Sequence, residues 1–64
     1  MGTITKQESD KINAAITVHY DTQEDFESAH GLAHAVDLGG LVVYYDLDSV
    51  VAFYDYELER GARI

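Results

Sequence analysis

Between Leu41 and Glu59, apolar and aromatic positions gather into two runs, Leu41–Tyr45 and Val50–Leu58, joined by Asp46-Leu47-Asp48-Ser49. Short runs of β-branched and aromatic residues bounded by a polar turn predict two antiparallel strands. Read with period two, one face carries Leu41, Val43, Tyr45, Val50, Ala52, Tyr54, Tyr56 and Leu58, the expected core. The other carries Val42, Tyr44, Asp46, Val51, Phe53, Asp55, Glu57 and Glu59, an apolar centre edged by carboxylates. That composition suits a contact surface better than a bare solvent face.

Upstream, Lys11–Tyr20 alternates, with Ile12, Ala14, Ile16, Val18 and Tyr20 on one side and Asn13, Ala15, Thr17 and His19 on the other. This predicts a half-buried strand. Asp21-Thr22 offers a helix N-cap, and Glu24 and Asp25 suit the positive end of a helix dipole. Phe26, Ala29, Leu32, Ala33 and Val36 then form one apolar stripe, so a helix is expected over about Gln23–Leu38. Gly31 weakens its middle, and Gly39-Gly40 supplies the stop and the turn into the next strand. Thr3–Ser9 is polar and reads as a frayed arm or a short edge strand. Arg60–Ile64 reads as a basic tail that Gly61 allows to bend away. The expected fold is one α+β domain over residues 1–64, two-layered, with an antiparallel three- to four-stranded sheet and one helix packed on it. The order is βαββ, or ββαββ if residues 1–10 pair as an edge.

Composition sharpens this picture in two ways. At 64 residues the chain buries only about 60% of the surface its unfolded form exposes, so its core is thin. With no Cys, neither a disulfide framework nor a thiolate zinc site is open to it. The net charge is −8, and the basic residues Lys6, Lys11, Arg60 and Arg63 all lie near the two ends. Ile12–Glu59 holds ten of the twelve acids and no Lys or Arg, so neighbouring ion pairs cannot neutralise them. Such a one-sided field repels nucleic acid and membrane surfaces and steers basic partners in. No run is long enough to span a bilayer and no signal-peptide layout is present. Met1-Gly2 matches a myristoylation start, but Lys6 stands where Ser or Thr is wanted. A cytoplasmic protein is expected, either monomeric or homodimeric.

The acids form the principal candidate site. On the last expected strand Asp55, Glu57 and Glu59 share a face roughly 6–7 Å apart, a spacing comparable to successive phosphates. Asp46 and Asp48 extend the row, Asp21, Glu24, Asp25 and Glu27 form a second cluster, and Tyr44 and Phe53 supply an aromatic centre. A protein that binds nucleic acid presents Lys and Arg where phosphates belong, and a folded acidic surface can occupy them. The bland alternative is that the acids keep a small protein soluble.

A short, acidic, Cys-free α+β chain carrying YYDLD at Tyr44–Asp48 and YDYELE at Tyr54–Glu59 resembles the phage-encoded anti-CRISPR and anti-restriction DNA mimics. The resemblance is one of composition and layout and rests on no diagnostic motif. It implies a stoichiometric inhibitor whose partner is a basic nucleic-acid-binding protein or complex, such as a CRISPR surveillance complex or a restriction enzyme. It implies no direct binding to nucleic acid.

Other chemistry has less support. His30 and His34 stand four apart on the expected helix, and with Glu27 or Asp37 could hold a divalent ion, but no third ligand is fixed. Asp46–Ser49 starts like a calcium loop, yet Val50 and Val51 occupy ligand and glycine positions. Leu47-Asp48-Ser49 resembles the phosphopantetheine-bearing motif of acyl carrier proteins, but too few residues follow for that all-helical fold. Ser49 and the three His show no spacing that supports a triad. Neither an enzyme nor a cofactor is expected. A second reading is a homodimeric module that associates through Val42, Tyr44, Val51 and Phe53.

Overall fold

A computed structural model describes residues 4–64 of the chain. Helix α1 spans Lys6–Ala14 and is capped by Thr5. The Thr5 hydroxyl accepts from the Glu8 amide at 3.1 Å, and the Glu8 carboxylate accepts from the Thr5 amide at 3.1 Å. Two amides left without intrahelical partners are thereby satisfied together. Strand β1 is only Val18–His19, and helix α2 spans Gln23–His30, capped by Thr22. Gly31 ends α2 in the left-handed conformation, at φ 63°. Strands β2 (Ala35–Asp37), β3 (Leu41–Asp46), β4 (Ser49–Asp55) and β5 (Arg60–Arg63) follow. Gly39 and Gly40, both at positive φ, form the two-residue turn between β2 and β3.

The sheet is antiparallel throughout, in the order β1-β5-β4-β3-β2. Both of its faces are buried. Val43, Val50, Phe53 and Ala62 pack with Ile12 of α1 on one face. Val42, Tyr44, Ala52 and Tyr54 pack with Phe26 of α2 on the other. The Phe26 ring sits among Tyr20, His30, Tyr44 and Tyr54, with centroids 4.9–5.5 Å away. The two tyrosines enter the core because their hydroxyls have partners, Glu27 at 2.8 Å for Tyr44 and the Tyr20 carbonyl at 2.9 Å for Tyr54. Among the described residues no buried side-chain polar atom lacks a partner.

The α+β class, the antiparallel sheet and a helix packed on it agree with the sequence reading. Several details differ. The sheet has five strands, and a second helix covers its other face. Residues Lys6–Asp10, expected as an arm or edge strand, are the first turns of α1, while Met1-Gly2-Thr3 lie outside the described residues. The alternation of Lys11–Tyr20 does not make a long strand, because the capping box drives helix through Ala14. Ile16 is left 88% exposed, and only two residues pair with β5. Helix α2 stops at Gly31 rather than Leu38, which frees Ala35–Asp37 to pair with β3. The basic tail is instead β5, with Gly61 and Ala62 buried.

The face assignment also changes. Residues directly opposite in an antiparallel pair share a face. The register sets Val43 against Phe53 and Val42 against Tyr54, with a shift between Tyr44 and Tyr45. The two-residue turn Leu47-Asp48 sets Tyr45 opposite Val50, as a four-residue turn would, and it is the register shift, which leaves Val51 as the extra residue of β4, that exchanges the faces of Ala52–Asp55 relative to β3.

Candidate interaction surface

Strand direction sorts the loops to two ends of the sheet. One end bears the β3–β4 hairpin tip, with Asp46, Leu47 and Asp48. The other bears the β2–β3 turn, the 56–59 turn and the start of α2, because the Tyr20 amide donates to the Glu59 carbonyl at 2.9 Å just before Asp21. Asp21, Glu24, Asp25, Asp37, Asp55, Glu57 and Glu59 therefore collect at this second end, which we term the acidic pole. Arg60 is set beside it by pairing with Asp55.

The acidic pole is organised by local bonds. Asp55 accepts from the amides of Glu57 at 3.0 Å and Leu58 at 3.1 Å, so its carboxylate holds the turn that presents its neighbours. The Tyr56 hydroxyl accepts from the Gly40 amide at 2.8 Å and approaches Asp37 at 3.5 Å, clipping the two turns together. Asp37 in turn accepts from the Gly39 amide at 2.8 Å. His19 meets Asp21 at 3.0 Å. Among the described residues, no Lys or Arg forms an ion pair with a carboxylate. Burial raises the Tyr54 phenol above its usual range, and the charges of Glu59, Asp21, Asp25 and Asp55 push it the same way.

The expected site divides. Asp21, Glu24, Asp25, Asp55, Glu57 and Glu59 come together, but as turn and helix-start residues, since β4 ends at Asp55 before any three-acid strand row can form. Asp46 and Asp48 sit at the opposite end. Tyr44 and Phe53 are buried on opposite faces of the sheet and cannot form a contact centre. The self-association patch of Val42, Tyr44, Val51 and Phe53 fails for the same reason. Exposed Tyr56 and Leu58 are the apolar groups at the acidic pole. Period-two reading assigns both to the core, but an Asp can bond the amides two and three residues on, and Asp55 does so here, ending the strand before either.

His30 and His34 do not share a helical face, because α2 ends between them. The His30 ring bonds the Tyr20 hydroxyl at 3.0 Å. No group of three or more potential ligands is placed to hold a metal among the described residues. Nor is any described helix long and apolar enough to cross a membrane. Comparison of the chain with protein-family models, with curated proteins and with solved structures finds no match.

Proposed function

We propose that this chain is a stoichiometric protein inhibitor that mimics nucleic-acid phosphate and occupies the basic surface of a nucleic-acid-binding partner. A bacterial defence complex, CRISPR effector or restriction enzyme, is the partner class its resemblance implies. The observation that carries this reading is the acidic pole, where seven of twelve acids gather without a Lys or Arg ion pair. Local hydrogen bonds hold Asp21, Asp37 and Asp55, but no Lys or Arg among the described residues neutralises the seven, so their charge is left to draw in foreign cations. Tyr56 and Leu58 supply apolar contact within the same surface. The action is occupancy rather than catalysis.

The test is capture of partners from bacterial lysate on the immobilised chain, at low salt and at about 0.5 M salt, with competing DNA. A nucleic-acid-binding protein displaced by both is the expected result. Glu57→Lys with Glu59→Lys should abolish its capture without unfolding the domain. Asp55 is unsuitable for this test because its carboxylate holds the turn. Capture indifferent to salt, to DNA and to the double substitution overturns the reading.

A further inference from the structure

Away from the acidic pole, at the end of the sheet that bears the β3–β4 tip, a cleft of about 240 Å³ opens on the α2 face. Leu32, Ala33, His34 and Val51 line it, together with Asp46 and Arg63. Strand alternation aims both charges at this face. A Cβ on Gly61 would meet the Phe26 ring, so Arg63, two residues on, extends toward α2. There its guanidinium donates to the His30 carbonyl at 3.4 Å, at the C-terminal end of the helix. Tyr45 packs against the core on the α1 side, so Asp46 turns to the opposite face.

The two charges share the cleft without closing on each other. Among the described residues neither Asp46 nor Arg63 forms an ion pair, with the other or with any third group. A simple anion drawn in by Arg63 meets repulsion from Asp46, and a simple cation drawn in by Asp46 meets repulsion from Arg63. An occupant that carries both charges close together gains from both. The guanidinium fork matches a carboxylate, and its single bond to His30 leaves N–H donors over for one. The Asp46 carboxylate accepts from an ammonium. The cleft is smaller than the ~300 Å³ at which drug-sized sites begin, so its occupant is small. Leu32, Ala33 and Val51 suit an aliphatic side chain.

We propose that this cleft binds a small aliphatic α-amino acid as its zwitterion, with Arg63 holding the carboxylate, Asp46 the ammonium, and Leu32, Ala33 and Val51 the side chain. Both charged groups are exposed, so each ion pair is screened by water and half-saturation on the order of 1 mM is expected. The inference does not rest on the inhibitor reading, which concerns the other end of the sheet.

Nuclear magnetic resonance titration of the isotope-labelled 64-residue chain with L-leucine tests it. Saturable amide shifts are expected at Ala33, Val51 and Arg63, with none at the acidic pole. N-acetylleucine lacks the ammonium and leucinamide lacks the carboxylate. Each loses one ion pair and keeps one repulsion, and should bind at least about fivefold more weakly. Asp46→Asn and Arg63→Gln should each remove the saturable response. Asp46 has no ion pair to lose, so its variant decides the matter if Arg63→Gln loosens the end of α2. A response to leucine that does not saturate through tens of millimolar overturns the proposal. So does N-acetylleucine or leucinamide binding as tightly as leucine, or a folded Asp46→Asn chain that responds as the wild type does.

Discussion

Gly61 shows how little space the core leaves at single positions. A Cβ placed there would lie 2.7 Å from the Phe26 ring and 2.9 Å from the Tyr54 ring, and both rings are fully enclosed. Gly61→Ala should therefore lower stability by about 2–3 kcal/mol, read as a shifted urea midpoint with unchanged slope. The two buried tyrosines give a second prediction. Burial and then the Glu27 carboxylate raise the Tyr44 phenol well above its ordinary value, and burial raises that of Tyr54. Between about pH 10 and the folded-state values, these phenols ionise in the unfolded chain but stay neutral in the native one. Stability present below pH 10 is then lost as pH rises, by about 1.4 kcal/mol per unit for each tyrosine. Tyr44→Phe should remove roughly one proton's share of that slope in alkaline unfolding experiments.

At the scale of elements, short helices depend on their ends. α1 buries only Ile12, so the reciprocal Thr5–Glu8 bonds carry much of its definition. Thr5→Ala should cost about 1 kcal/mol and raise amide exchange along α1 before it affects β3 and β4. The strands of the central hairpin and the Gly39-Gly40 turn were legible from the sequence, because local apolar runs and turn residues agree there. α1 was not. Its Thr-x-x-Glu signal sits before a stretch whose alternation imitates a strand, and only tertiary packing shows that Ile12 is buried while Ile16 is not. The end of α2 was misread because the apolar stripe continues past Gly31 although the backbone does not. The parity of β4 relative to β3 depends on the register shift at Tyr44/Tyr45, which no periodicity reports.

At the scale of the whole molecule, charge is segregated along a body measuring 27 × 21 × 20 Å. Carboxylates crowded at one end repel each other over distances that salt screens, with a Debye length of about 8 Å at physiological ionic strength. The melting temperature should therefore rise by several degrees between low salt and about 0.5 M sodium chloride. Glu57→Lys with Glu59→Lys should flatten that dependence, measurable by calorimetry. The acidic set was legible as composition, but its gathering at one end follows from strand direction and from turns that place Asp21, Asp37 and Glu59 together.

Sheet order also sets a sequence of events in time. The β2–β3 and β3–β4 pairings join neighbours in the chain, whereas Val18 must wait for Gly61, about forty residues downstream. The β2–β3–β4 meander can close early through short loops, and β5 extends it. Only then does β1 find an edge on which to dock. β1 is thus the last strand to join the sheet, and its two-residue ladder with β5 is the pairing the rest of the fold can most easily lose.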